Sequence, residues 1–354
     1  MRRRRRGTSP AVPAASACFL LLALAAAAAP GDVLRTLDVS FVPLGFSLAV
    51  DCEGTIYVSG QRDYVLYRLD RDGYVLSTRL LPFPVGEISW DESRRELWVE
   101  WSSSGCGTPV YRVDPATGDA TYLMDYSNPS CCASQKTSIS WDSCDDTFWI
   151  KDDTCRFTDH FTSAGSFLSR IEVQDARGET RVSARAQAAA GGKLLYVAHH
   201  QEPEVYRASK RDGSFLSLLA TLPPDPTGAK FGGVECDPVN FAPKVALWVR
   251  RQFTLWAIEA DAGACWCGAE PAPADRGNTL MAARLADDVV LGWAEDIVAS
   301  SYTLHRGTEK GVWPSPSFLP GLLVPAATLP DVPAPPALYF YRAAGVSCTG
   351  LQGP

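Results

Sequence analysis

His199 and His200 form the one adjacent pair in this chain suited to metal chemistry, because imidazole is a common ligand. Asp152-Asp153 would add carboxylates from a neighbouring loop. Consecutive strand residues point to opposite faces, so both imidazoles reach one ion only if the chain turns there. A second set is Glu100, Lys151 and Arg250, each two residues beyond an aromatic of a recurring phrase and so on the same side of its strand. With Arg62, Trp101, Asp152, His199 and His200 they define a candidate ligand-binding face of mixed charge. The competing reading is a rim of ordinary solvated loop residues. Ser, His and Asp from distant segments could converge as a hydrolytic triad. The chain has no Gly-x-Ser-x-Gly elbow, no His-Glu-x-x-His helix and no glycine-rich phosphate loop. No catalytic residue is assigned, and whether the protein is an enzyme stays open.

The elements that must position these residues are set by a repeat. An aromatic followed by a β-branched residue recurs as Tyr57-Val58, Trp98-Val99, Trp149-Ile150, Tyr196-Val197 and Trp248-Val249, at steps of 41, 51, 47 and 52 residues. Self-similarity at about 40 to 50 residues marks blades of four short strands. The second copy shows the grammar: strands at 87–91, 96–100, 110–113 and 120–124, with a turn at Asp114-Pro115-Ala116-Thr117-Gly118. Aromatic and β-branched runs between Gly, Pro and Asp turns predict an all-β fold. The reading is a β-propeller of four-stranded antiparallel blades, six in number with five as the alternative.

The sixth unit rests on weaker strands near 279–285, 289–293 and 302–304. Ala337 to Arg342 reads as a further strand, and Asp32 to Leu37 resembles the fourth strands of other copies. An N-terminal strand at 32–39 would then close the ring with C-terminal strands and remove two sheet edges. Trp313 to Pro336 holds eight prolines and is expected as an extended loop, since proline lacks the ladder donor. The single propeller domain spans 30–348.

Residues 1–29 read as a signal peptide: Arg2 to Arg6, an apolar run from Cys18 to Ala29 and an Ala-x-Ala end. The run is shorter than the roughly 20 residues a spanning helix needs. Whether export is general or twin-arginine is not legible. Without the leader, 28 basic residues stand against 40 acidic ones, a formal charge of −12. That balance argues against nucleic acid as partner. Of eleven cysteines, ten remain beyond Cys18, an even number that implies disulfides in an exported chain. Cys106, Cys131, Cys132, Cys144 and Cys155 crowd together, while Cys52, Cys236, Cys265, Cys267 and Cys348 are spread. Cys144 and Cys155 flank one hairpin and are a candidate bridge; Cys265 and Cys267 are expected to bond elsewhere than to each other.

The phrases Ala49-Val50-Asp51-Cys52-Glu53-Gly54-Thr55-Ile56-Tyr57-Val58 and Val113-Asp114-Pro115-Ala116-Thr117-Gly118 resemble six-bladed propellers of the NHL-repeat and SMP-30/gluconolactonase type. The likeness covers about residues 32 to 305 and lies in the repeat. In the lactonase branch, Glu, Asn and Asp side chains hold one divalent cation in the central channel. Here only Asn128, Asn240 and Asn278 exist, and none falls in a matching phrase. No metal ligand or cofactor is therefore assigned. The expected function is a secreted or periplasmic, monomeric binding module for a protein, small molecule or glycan. A metal-dependent propeller hydrolase is the first alternative and a cell-surface scaffold the second.

Overall fold

The computed structural model describes residues 29–353, apart from 44, 46, 61–62, 102–106, 128–135, 153–156, 180–184, 200–201, 224–230, 268–271, 274–278, 286–287, 314–315 and 331–338. Residues 1–28, all but the last residue of the segment read as a signal peptide, lie outside the described residues, as do Arg62, His200, Cys106, Cys131, Cys132 and Cys155.

The short β-branched and aromatic runs form strands throughout, and no helix occurs among the described residues. After β1 (Val33–Asp38), the first blade holds β2 (Ser47–Val50), β3 (Ile56–Ser59), β4 (Val65–Leu69) and β5 (Val75–Leu80). The second holds β6 (Val85–Asp91), β7 (Glu96–Trp101), β8 (Gly107–Val113) and β9 (Ala120–Ser127). The third holds β10 (Lys136–Asp142), β11 (Thr147–Asp152), β12 (Phe157–Thr162) and β13 (Phe167–Glu172). The fourth holds β14 (Arg185–Ala189), β15 (Leu194–His199), β16 (Glu204–Ser209) and β17 (Phe215–Thr221). The fifth is built from β18 (Phe231–Asp237), β19 (Ala246–Arg251) and β20 (Thr254–Glu259), and its fourth place is taken by β1. Each of the first four blades is an antiparallel meander whose consecutive strands are joined by short turns, and the fifth is antiparallel with β1 at its outer edge.

The innermost strands pack in cyclic order: β2 on β6, β6 on β10, β10 on β14, β14 on β18, and β18 back on β2. Five apolar cores sit between neighbouring blades, including one that joins Trp248 and Ala257 of the fifth blade to Leu48 and Val58 of the first. This is a closed β-propeller cycle of five four-stranded sheets, the count held as the alternative to six. The ring closes at β20, where β1 pairs in register from Thr36 opposite Trp256 to Asp38 opposite Thr254. The expected closure with C-terminal strands is not made. The physical reason is local: the fifth blade supplies only three strands of its own, and β1 covers the open edge of β20.

The C-terminal strands form two three-stranded sheets instead of a blade. One holds β21 (Met281–Leu285), β22 (Asp288–Gly292) and β25 (Ala326–Leu329); the other holds β23 (Ser301–Gly307), β24 (Leu319–Leu322) and β26 (Phe340–Val346). They share a core of Leu291, Trp293, Tyr302, Leu304, Ala327 and Leu329. The proline-rich segment thus contributes β24 and β25, where an extended loop was expected. Both are outer strands of their sheets, the places that tolerate missing donors. This small sandwich meets the propeller through turns. Gly192, at φ +62°, lies so close that an added Cβ would stand 2.1 Å from the Val298 carbonyl oxygen. Only glycine fits that approach.

Candidate functional site

Each repeated aromatic is buried and tied to a carboxylate. In four blades the first strand leads into an Asp whose backbone-directed oxygen caps the turn and whose other oxygen accepts from the aromatic. Tyr57 Oη donates to Asp51 at 2.9 Å, Trp98 Nε1 to Asp91 at 3.1 Å, Trp149 Nε1 to Asp142 at 3.1 Å and Trp248 Nε1 to Asp237 at 2.7 Å. In the third blade the same Asp142 takes the Cys144 N–H at 3.1 Å. Asn240, one of three asparagines weighed as a cation ligand, braces such a turn by donating to Asp237 and to the Gly54 carbonyl.

Two residues beyond those aromatics stand Ser59, Glu100, Lys151, Ala198 and Arg250, and all five are 0% exposed. Glu100, Lys151 and Arg250 were expected on a solvent-facing polar mouth; they lie inside the fold. Strand alternation placed them correctly on one side, but that side faces the adjacent blade or the axis rather than solvent. Arg250 donates from one terminal nitrogen to both Ser47 O and Ser59 O at 2.7 Å, bridging the fifth blade to the first. Burial pushes its pKa down to about 10. Trp101 is half-buried at the end of β7, its ring 6.2 Å from that of Phe83. Asp152 and His199 end β11 and β15.

The channel is bridged by two carboxyls that sequence reading did not single out, Glu87 on β6 and Glu235 on β18. Glu235 spans from the fifth blade to the second, accepting from Ser89 Oγ at 2.9 Å and the Trp90 N–H at 3.3 Å. Ser89 in turn accepts from the Trp141 N–H of the third blade at 2.9 Å. Ser138 and Ser140 accept the N–H groups of Gln187 and Ala189 in the fourth. Burial outweighs the donors around Glu235 and pushes its pKa up to about 8. Burial, then the neighbouring charge of Glu100, holds Glu87 well above the usual carboxylate range. The available signal was polar residues at alternate positions of the first strands, Glu87-x-Ser89 and Ser138-x-Ser140.

One end of the channel is covered by Ala264 to Cys267. Cys265 is bonded to Cys236 of the fifth blade, Cys267 to Cys52 of the first, and the Trp266 ring rests against Gly191 of the fourth. Beneath this strap is a cavity of about 40 Å³ that Glu235 lines. Cys265 and Cys267 do bond apart, as expected. Cys144 is bonded to Cys348 rather than to Cys155, because the sandwich brings its last turn against the β10–β11 turn.

A cleft of about 470 Å³ lies between the third and fourth blades, under Ser300 and Cys348 of the sandwich. That is within the range of small-ligand sites. Sheet register builds one wall: Trp149 pairs with His160 and His160 with Ser169, so the three side chains form a row on one face. His160 stacks on Trp149 at 3.9 Å. Thr147 Oγ donates to Asp145 at 2.5 Å and lies 2.6 Å from His160 Nε2. A hydroxyl has one proton, so Nε2 must donate to Thr147 and Nδ1 is left as the acceptor. Nδ1 stands 3.5 Å from Ser169 Oγ. Burial lowers the His160 pKa and so favours the neutral ring. The opposite wall is basic: Lys210 is paired with Asp142 at 2.7 Å, Lys193 with Glu295, and Arg211 is exposed. Among the described residues no group of three His, Cys, Asp or Glu side chains is gathered as a metal site.

These features define a disulfide-bonded β-propeller carrying a C-terminal sandwich, with a polar cleft where the two meet. No family model matches the chain. No curated protein matches it either. Solved structures similar to it include the Myxococcus xanthus glutaminyl cyclase, at 10% identity over 65% of this chain and 97% of that one, with a TM-score of 0.47. Regucalcin from Agrobacterium tumefaciens is 15% identical over 65% of this chain and 94% of that one, with a TM-score of 0.43. A virginiamycin B lyase from Staphylococcus aureus is 11% identical over 64% and 99%, with a TM-score of 0.39. The fold assignment stands on strand order and packing, independently of these likenesses.

Proposed function

We propose that the protein is an extracytoplasmic binding module whose ligand, a small polar molecule or glycan, sits in the cleft between the third and fourth blades and the sandwich. The observation that carries this reading is the cleft itself: about 470 Å³, with hydrogen-bonding groups on both walls. Two of the three cations there are paired, Lys210 with Asp142 and Lys193 with Glu295, and Asp145 stands against Arg211, so the lining offers many donors and acceptors with little net charge. Such a surface suits an uncharged, hydroxyl-rich ligand, because hydrogen bonds to preformed partners give orientation without a counter-ion. Three disulfides fit an oxidising compartment, and no described helix is long and apolar enough to cross a membrane.

Calorimetric titration of the non-reduced protein against mono- and disaccharides and small polar compounds tests the reading. A bound ligand should lose roughly tenfold in affinity, about 1.4 kcal/mol, in Ser169→Ala or Arg211→Ala. Binding that ignores both substitutions would place the ligand elsewhere.

A further inference from the structure

We propose that the Cys144–Cys348 disulfide is a thiol-exchange site, the bond at which a small thiol attacks this protein and forms a mixed disulfide on Cys348. The placement differs from that of the other two bonds. Cys52–Cys267 and Cys236–Cys265 tie down the strap over the channel end, around a cavity of only about 40 Å³, and Cys265 is 7% exposed. Both sulfurs of Cys144–Cys348 belong to residues lining the cleft of about 470 Å³, large enough to admit a small peptide thiol.

The two ends of the bond are chemically unequal. Lys210 Nζ stands 3.8 Å from Cys144 Sγ, and an ammonium beside a sulfur favours its thiolate. The nearby Asp142 carboxylate shares that ammonium and is further held by Trp149 Nε1 and the Cys144 N–H, while the other charges lining the cleft are Asp145 against Lys193 and Arg211. Cys144 is therefore the better leaving group, and attack falls on Cys348. Cys348 sits in an exposed tail turn closed by the Gly350 N–H on the Ser347 carbonyl, with Thr349 and Gly350 in solvent.

The step balances with an external thiol as reductant. A thiolate RS⁻ attacks the Cys348 sulfur, an RS–S bond forms, the Cys144–Cys348 bond breaks, and Cys144 departs as thiolate beside Lys210. A second thiolate attacks the sulfur of the attached thiol, releases RSSR and leaves Cys348 reduced. Cleavage removes the covalent link between the β10–β11 turn and the sandwich, leaving contacts such as Lys193–Glu295 and the Gly192 approach to Val298. The roof of the cleft is then held by non-covalent contacts alone. This inference does not require a ligand in the cleft.

The experiment is limited treatment of the folded, non-reduced protein with glutathione, followed by alkylation and peptide mass mapping. Cys144–Cys348 should open roughly ten times faster than either strap disulfide, with the glutathione adduct on Cys348 and the free thiol on Cys144. Lys210→Arg, which keeps the charge and the pairing with Asp142, should retain the adduct position, and Lys210→Met should slow opening at every pH, because it makes Cys144 a poorer leaving group. The map on the unaltered protein needs no variant. Equal opening of all three bonds, earlier opening of a strap bond, or an adduct on Cys144 would overturn the proposal.

Discussion

Tyr196 donates its hydroxyl proton to Asp261 across the boundary between the fourth and fifth blades, at 2.7 Å. The other four repeated aromatics donate within their own blade, to an Asp at the end of the first strand. The fourth blade has Ala190 at that place, so its aromatic looks outward to the next turn. Asp261 is also gripped by Arg207, from Nε at 2.6 Å and a terminal nitrogen at 3.0 Å. The missing carboxylate of one blade is thereby replaced by a three-residue clamp that also joins two blades.

Tyr196→Phe should be mild, because Arg207 still satisfies Asp261; a loss of about 1 kcal/mol is expected. Asp237→Ala should be worse. It leaves the fully buried Trp248 Nε1 without its acceptor and also releases the Val239 and Asn240 N–H groups. Roughly 1–3 kcal/mol is expected for the buried donor alone. Urea denaturation of the two variants side by side checks the order, and a Tyr196→Phe loss larger than that of Asp237→Ala would contradict it.

Glu235 makes stability depend on pH in a stated direction. Its folded pKa lies near 8 against a reference of 4.5, so in that interval the folded state holds a proton that the unfolded chain has released. The stabilisation is fully present below the reference value and is lost as pH rises through about 8. Glu87, also held above the usual range, acts with the same sign. The urea midpoint should fall from pH 5 to pH 8 and flatten in Glu235→Gln, which keeps an oxygen acceptor for Ser89. A midpoint that rises over this interval would show that other groups dominate.

How much of this was legible follows from which interactions are local in sequence. The second strands announced themselves, because Trp98-Val99 or Trp248-Val249 must be buried wherever they are and the turn residues sit beside them. The sides on which Glu100, Lys151 and Arg250 lie also followed from alternation. What each side faces did not, because that depends on how close neighbouring blades pack, and here Arg250 meets carbonyls about 200 residues away. The partner of Cys144 was hidden for the same reason: Cys348 is 204 residues distant and reaches it only because the sandwich folds back. The His160 row is a register effect, invisible until Trp149, His160 and Ser169 are paired.

Arg250 was a ligand-face candidate from sequence, and its burial turns that into a stability prediction. Arg250→Met should destabilise the ring seam, since it leaves Ser47 O and Ser59 O without their shared donor. Arg250→Lys should rescue it only in part, because a single ammonium nitrogen has no second donor to replace the Nε–H on Gln252 O. Neither variant should alter affinity for a cleft ligand at a temperature where it remains folded. Thermal melts paired with titration separate the two effects, and a folded Arg250→Met with unchanged melting but lost binding would restore the ligand-face role.

The closure by β1 carries the last prediction. Its residues Leu37 and Leu34 pack into the core between the fifth and first blades, and its backbone covers β20 from Thr254 to Ile258. A chain beginning after Asp38 would expose that edge as a row of unpaired donors and acceptors, a template for pairing with a second molecule. The expected outcome is a shift toward larger species than the intact chain forms, together with a lower melting temperature. A peptide of residues 30–39 added in trans should reverse that shift, because strand addition to an open edge uses the same backbone hydrogen bonds. Sedimentation of the truncated chain with and without peptide reads this directly. A truncated chain of unchanged size and stability would mean that the ring closes by blade packing alone, without the strand.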